Sequence, residues 1–188
     1  MKPKAPLILA SQSPRRQNLL KELGFDFEIL VRPVKEVVEA GLSPTEVAIS
    51  ISETKANAYR DLAEDHIIIT ADTIVSLQGE IIGKPKDEAD AAVLLRKLSG
   101  TTHTVVTAVS LLHQGRVRSF TAETGVSFRV LTEEEIQHYI RSFKPLDKAG
   151  AYGIQEWIGM IGITGIHGCY YNVMGLPLSK LYTELSRF

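Results

Sequence analysis

The chain alternates between short apolar runs and segments whose apolar residues recur at helical spacing. Leu7 to Ala10 is a run of the kind that forms a buried strand. Ser11-Gln12-Ser13 breaks it, and Pro14 suits the first position of a helix. Leu19, Leu20 and Leu23 give that helix an apolar side, and Gly24 supplies its stop. Residues 25 to 31 alternate as a half-buried strand, with Phe25, Phe27, Ile29 and Val31 on one side. A loop over Arg32 to Leu42 is expected next. Ser43-Pro44-Thr45-Glu46 has the form of a capping box. The helix it opens carries Ala48, Ile51, Ala58 and Leu62 on one face, and Lys55 falls on that same face.

His66 to Leu77 is the most apolar strand candidate, interrupted by Asp72-Thr73. Gln78-Gly79-Glu80 then reads as a tight turn into Ile81-Ile82, so the flanking strands form a hairpin. A helix begins at Asp87, carries Ala89, Ala92, Val93 and Leu95 to Leu98, and closes at Ser99-Gly100. Thr104 to Leu112 and Val117 to Val130 are two β-rich runs joined by His113-Gln114-Gly115-Arg116 as an antiparallel hairpin. Thr132-Glu133-Glu134-Glu135 is a second capping box, with Ile136, Tyr139 and Ile140 inward. Phe143 to Gln155 is a Gly- and Pro-rich loop that also holds Asp147, Lys148 and Gln155, which marks it as functional. Glycines at 159, 162, 165 and 168 suggest thin strands in close backbone contact. Gly175-Leu176-Pro177 starts a terminal helix with Leu178, Leu181, Tyr182 and Leu185 inward. About five helices among strands and hairpins imply an α/β layered fold with a mixed sheet.

With 188 residues and 44% hydrophobic content, one domain over residues 1–188 with a proper core, or two lobes sharing one, is expected. A net charge of −1 shows no basic excess, which argues against a nucleic-acid partner. A single cysteine, Cys169, excludes an internal disulfide and fits a reducing compartment. Lys2 and Lys4 ahead of the first run faintly resemble a secretory signal. That run is too short, however, and leads into Ser-Pro-Arg-Arg in place of a small-residue cleavage site. No stretch is long enough to span a bilayer, so a soluble cytoplasmic protein without a membrane partner is expected.

Several polar residues stand where the pattern does not ask for them. Arg15 and Arg16 occupy a helix first turn, whose partial positive charge disfavours cations unless an anion sits there. With Ser11, Ser13 and free N–H groups they form either a phosphate cradle or a solvated helix start. Lys55 either snorkels to water or points into a cleft. Asp72 lies in a strand near its end, facing a cleft, or marks a bend, because ionised carboxylates are rarely buried unpaired. Lys84, held extended before Pro85, is a ligand for an anion or an ordinary loop lysine. Ser11, Arg15, Arg16, Lys55, Asp72, Lys84 and Gln155 together suit a metal-assisted phosphate site, in which Mg²⁺ or Mn²⁺ takes carboxylate and phosphate oxygens. No P-loop, H-E-x-x-H or G-x-S-x-G run is present. The five histidines lack zinc-ligand spacing, and Cys169 reads as a packed small residue.

The runs Ala10-Ser11-Gln12-Ser13-Pro14-Arg15-Arg16, Ala71-Asp72-Thr73, Gly83-Lys84-Pro85, Leu146 to Gln155 and Gly175-Leu176-Pro177-Leu178 resemble the Maf family of nucleoside triphosphate pyrophosphatases. The resemblance runs from Leu7 nearly to Phe188, with the motifs in matching order. It implies a fold like that of inosine triphosphate pyrophosphatases: a twisted mixed sheet, helices on both sides, a deep cleft between two lobes, and a homodimer. It further implies cleavage of a nucleoside triphosphate between the α and β phosphates with a divalent cation. On that resemblance Asp72 is the proton acceptor and a metal ligand, with Glu36 as a second acidic group. Ser11, Arg16, Lys55 and Lys84 hold the phosphates, while Arg15, Thr73 and Gln155 lie where base preference is set. The intact DKAGAYGIQ run is similar to the branch acting on dTTP and UTP, and less like the 7-methyl-GTP branch. The sequence departs from the family pattern at Lys35, before Glu36, at Cys169 where serine is usual, and from Trp157 through the glycine-spaced stretch.

Two functional classes follow. One is a pyrophosphatase that removes non-standard or excess pyrimidine nucleotides, modified ones included. The other is a nucleotide-binding regulator of cell division in which turnover is incidental. An intact Asp72 favours the enzyme, because a pure binder gains nothing from a water-activating carboxylate.

Overall fold

Among the described residues seven strands form one sheet: β1 (Leu7–Leu9), β2 (Phe27–Ile29), β3 (Ile67–Leu77), β4 (Glu80–Ile82), β5 (Thr102–His113), β6 (Arg116–Phe128) and β7 (Ile163–His167). The computed structural model describes residues 3–36 and 41–188. Lys2 and residues 37–40 of the expected loop lie outside the described residues. The spatial order is β2-β1-β3-β5-β6-β7, with β4 paired to β3. β1 runs parallel to β2 and β3, and every other pairing is antiparallel. The helices are α1 (Pro14–Glu22), α2 (Pro44–Asn57), α3 (Glu88–Leu98), α4 (Glu133–Phe143), α5 (Trp157–Gly162), α6 (Tyr170–Val173) and α7 (Leu178–Arg187).

Helix starts follow local chemistry. Ser43 and Thr132 both complete their capping boxes, with Glu46 and Glu135 reaching back to the cap N–H. Asp87 caps α3 through Asp90 N, and Ser13 caps α1 through Arg16 N.

The period of two along the strands decides what each helix covers. On one face Leu9, Ile69, Val109 and Leu111 pack against Leu19 and Leu20 of α1 and Leu178, Leu181 and Leu185 of α7. Farther along that face Val75, Val105, Val126 and Phe128 meet Leu95 and Leu98 of α3, Tyr139 and Ile140 of α4 and Ile158 of α5. Each fully buried leucine or isoleucine in these clusters contributes roughly 1.5–3 kcal/mol. The opposite face carries α2, whose Ala56 joins Ile8 and Ile68 and whose Ala48 meets Val106 and Ala108. The result is a mixed sheet with helices on both sides, as the family resemblance implies.

The arrangement leaves one opening. β1 pairs with Ile67 to Ile69 and β4 pairs with Val75 to Leu77, both along the edge of β3 that faces away from β5. Among the described residues no strand lies beside residues 70–74 on that edge. The gap lies just beyond the carboxyl end of parallel β1, where open α/β sheets hold their ligands.

Four expectations need correction. Asp72 does not sit near a strand end or interrupt the run: β3 continues through it for 11 residues, paired to Ala108 on β5. β2 spans only Phe27–Ile29, and Ile29 and Val31 are exposed, because an edge strand has no neighbour to cover them. The glycine-spaced stretch holds helix α5, strand β7 and helix α6 instead of thin strands. Gly159 and Gly162 line one side of α5 at helical spacing, where Ile154, Phe128 and Leu131 press close. Tyr182 of α7 is exposed with its ring stacked on Phe25, so the inward face of that helix is made by Leu178, Leu181 and Leu185 together with Glu184, which is paired to Arg118.

Candidate active site

A cleft of about 770 Å³ opens at the gap in β3. Ser11, Arg15, Arg16, Glu36, Lys55, Asp72, Thr73, Lys84 and Gln155 all line it, so the structure brings the whole predicted set together.

Its floor is polar for a topological reason. Alternation along β3 sends Asp72 toward α2 and Thr73 toward α1 and α7. On the α2 side, Lys55 Nζ donates to Asp72 Oδ1 at 2.8 Å and pairs with Glu36 Oε1 at 2.9 Å. One ammonium thus joins two carboxylates, which resolves the two readings of Lys55 in favour of the cleft. Both carboxylates reach one point, and a hard divalent ion bound by one or two carboxylates with phosphate oxygens and water suits such a pair. Among the described residues no group of three or more His, Cys, Asp or Glu side chains gathers for a metal.

On the other side, Arg16 fastens α1 to the sheet. Its Nη1 donates to the Ala71 carbonyl at 2.9 Å, Nη2 to Thr73 Oγ1 at 2.9 Å, and Nε to the Gly175 carbonyl at 2.8 Å. Gly175 has a φ of +107°, a conformation few other residues adopt, and a Cβ there would meet Arg16 Nε and Thr73 Oγ1, each at 3.4 Å. A guanidinium has five N–H donors, so two remain for a ligand. Burial lowers its pKa from the ordinary value, and the negative charge of Asp72 opposes that shift.

Ser11 Oγ accepts from Ser13 N at 3.2 Å and lies buried at the start of the α1 turn. Lys84 is exposed on the rim after β4 and has no ion-pair partner among the described residues.

Arg15 reaches across the cleft to Asp147 at 3.1 Å. Burial pushes the Asp147 carboxyl up, but bonds from Lys148 and Arg15 outweigh it and hold the group below its usual range. With Arg15 and Asp147 both solvent-accessible, the bridge contributes at most about 1 kcal/mol. Lys148 is buried between Asp147 at 2.7 Å and Glu156 at 3.2 Å. Glu156 in turn accepts from the Tyr139 hydroxyl, which accepts from Gly153 N at 3.1 Å. This chain of bonds clamps residues 153–156, so Gln155 is carried on a fixed support. Gln155 Oε1 is buried without a hydrogen-bond partner among the described residues, an acceptor open to a donor.

Residues 6–188 match the family model described as Maf-like protein. The chain belongs to the Maf family. It is 53% identical over 186 residues to a dTTP/UTP pyrophosphatase of Phocaeicola vulgatus, covering 98% of this chain and 96% of that one. It is 47% identical over 182 residues to a dTTP/UTP pyrophosphatase of Bacillus cereus, covering 97% and 95%. Among solved structures, the Ham1 protein of Staphylococcus aureus superposes with a TM-score of 0.52 at 20% identity, covering 95% of this chain and 99% of that one. A HAM1 protein from Coxiella burnetii gives 0.51 at 18% identity, covering 98% and 100%. The Maf chain therefore shares the fold of those proteins.

Two of the departures from the Maf pattern sit outside the cleft. Cys169 precedes α6 and its N–H donates to Thr124 Oγ1 at 3.0 Å, while Trp157 opens α5 and stacks edge-on with His138. Sequence reasoning missed Tyr139 and Glu156 as supports. Tyr139 shows the helical pattern of a core residue, and its hydroxyl's task is visible only once α4 meets residue 153.

His103 supports the same loop from within the sheet. It is 1% exposed, with Nε2 at 2.6 Å from the Tyr152 hydroxyl, and burial lowers its pKa to about 4. The unfolded chain, with an ordinary histidine, binds a proton at higher pH than the folded one. Stability is therefore full above about pH 6.5 and is lost as pH falls toward 4, by up to about 3 kcal/mol. Urea unfolding at pH 7 and pH 4.5 should show this loss, and His103→Gln should shrink it. An equal loss in the variant would assign the acid sensitivity elsewhere.

Proposed function

We propose that this Maf protein is a nucleoside triphosphate pyrophosphatase that hydrolyses dTTP and UTP to the monophosphate and pyrophosphate. One observation carries the reading: in a single cleft Asp72 and Glu36 share the Lys55 ammonium, with the Arg16 fork beside them. Ser11, Arg16, Lys55 and Lys84 bind the triphosphate, whose several negative charges match these donors. Asp72 and Glu36 would hold a divalent cation, Mg²⁺ or Mn²⁺, which supplies charge neutralisation at the phosphates and activates water when bound. Asp72 orients the water for in-line attack and takes its proton as the α–β anhydride opens. Lys55, beside both carboxylates at the cleft floor, neutralises charge that develops on the phosphate chain.

Gln155, with Arg15 and Thr73, sets base preference. A glutamine amide accepts from the N3–H and donates to O4 of uracil or thymine, which explains acceptance of both UTP and dTTP. The named activity of relatives up to 53% identical supports this preference. The same reading carries a homodimer in the cytoplasm without nucleic-acid or membrane partners. Among the described residues no helix is long and apolar enough to cross a membrane.

The test is pyrophosphate release with Mn²⁺ or Mg²⁺ across dTTP, UTP, CTP, GTP and 7-methyl-GTP. Preference for dTTP and UTP supports the reading, preference for 7-methyl-GTP moves the protein to another branch, and no turnover favours a binding regulator. Gln155→Glu replaces the donor with a carboxylate and should lower kcat/KM for UTP and dTTP roughly 10- to 100-fold, the effect of leaving one buried polar group unmatched. Unchanged ratios among the five nucleotides would remove Gln155 from base reading.

A further inference from the structure

Thr107 on β5 stands directly opposite Thr73 in the sheet register, wholly buried and outside the cleft lining. Its Oγ1 donates to the Asn172 carbonyl at 2.9 Å and lies 2.9 Å from Thr73 Oγ1. Thr73 Oγ1 also receives Nη2 of Arg16 at 2.9 Å.

Counting protons fixes the direction of these bonds. A carbonyl only accepts, so the single proton of Thr107 goes to Asn172. Between the two threonines the donor is therefore Thr73. Its proton points into the sheet, and its oxygen faces Arg16 as an acceptor only. A guanidinium only donates, so no other orientation satisfies all three bonds. The chain then closes on itself. The Asn172 carbonyl also accepts Gly175 N at 3.0 Å, and the Gly175 carbonyl accepts Arg16 Nε at 2.8 Å. Arg16, Thr73, Thr107, Asn172 and Gly175 thus form a ring of hydrogen bonds in which every proton has one place.

We propose that Thr107 is a positioning residue for the nucleotide site: by taking the Thr73 proton it fixes that hydroxyl as an acceptor and holds the Arg16 fork toward the phosphates. The proposal rests on the reading of Arg16 as a substrate-binding group. It also sets the chemistry that Thr73 offers a base. With its proton turned away, Thr73 presents no donor to the cleft, so a ligand group seated against it must donate or be apolar.

Thr107→Val keeps shape and burial but removes the hydroxyl. Asn172 keeps its Gly175 partner, so no carbonyl is stranded, whereas Thr73 loses its acceptor and turns its proton against Arg16. Two readouts test this. In nucleotide-free protein, the ¹⁵N–¹H signal of Arg16 Nη2, the group that donates to Thr73 and assigned through Arg16→Lys, should lose its protection from exchange with water. With UTP, kcat/KM should fall about tenfold, the size of one well-placed hydrogen bond. Thr107→Ser should restore both, and in a Thr73→Val background Thr107→Val should add nothing further, because both act through one bond. A Thr107→Val protein with lowered Tm but an unchanged Arg16 signal and unchanged kcat/KM would make Thr107 a core residue and overturn the proposal. A wild-type protein that hydrolyses none of the nucleotides refutes the activity instead. The Arg16 signal still decides the positioning role in that case, since it needs no nucleotide.

Discussion

Asp72→Asn is expected to reduce pyrophosphate release roughly 1,000-fold, within the range of lost general-base catalysis, while nucleotide binding survives. Asparagine keeps the size and hydrogen-bonding reach of the side chain but cannot take a proton from water. The phosphate donors Ser11, Arg16 and Lys84 do not depend on that carboxylate for their seats, since the Arg16 fork is anchored on Ala71, Thr73 and Gly175. Lys55 loses one of its two carboxylates but retains Glu36. Single-turnover hydrolysis of UTP alongside calorimetric titration of the same nucleotide separates the two effects. Release at the original rate would mean that another group activates the water. Loss of binding in step with turnover would make Asp72 a ligand-holding group first.

The second large effect concerns a glycine outside the cleft lining. A Cβ on Gly159 would lie 1.9 Å from the Ile154 carbonyl oxygen and 2.6 Å from its carbon, both backbone atoms that no rotamer change can move. Gly159→Ala must therefore displace α5 or the 153–156 segment, at a cost of about 3 kcal/mol. Because that segment carries Gln155, the variant should lose discrimination between UTP and CTP as well as stability. Gly165→Ala is the control, since nothing lies nearer than 3.8 Å to the added carbon. Urea unfolding and the ratio of kcat/KM values check both parts. Wild-type stability and an unchanged ratio in Gly159→Ala would show that α5 does not seat the base-reading loop.

These examples also mark what the amino-acid order conveys. The capping boxes at Ser43 and Thr132 are local chemistry, and both helices begin where that chemistry says. Most of the cleft residues were legible because they were polar where their neighbours were apolar, or stood in a motif: Asp72 in His66 to Leu77, Lys55 on the face of Ile51, Arg15 and Arg16 at a helix start; Glu36 came only with the family resemblance. The position of Asp72 within its strand was not legible. The reason that it faces a cleft is that β1 and β4 share one edge of β3 and leave a space, a fact of pairing between distant segments. Thr107 was invisible for the same reason, being one hydroxyl in a β-rich run until the register sets it against Thr73. The glycines after Trp157 suggested thin strands in close backbone contact, whereas Gly159 and Gly162 make room for neighbours on one side of a helix.

The long strands have a further consequence. β3 places Ile69 in one hydrophobic cluster and Val75 in the other, β5 does so with Val109 and Val105, and β6 with Phe120 and Val126. No cut in the chain can free one half with its core intact, so the molecule is not modular in the way that two-domain enzymes are. Exchange of one half with a homologue would have to match the other half's packing along three strands at once. Point substitutions at the cleft, by contrast, leave that shared packing untouched.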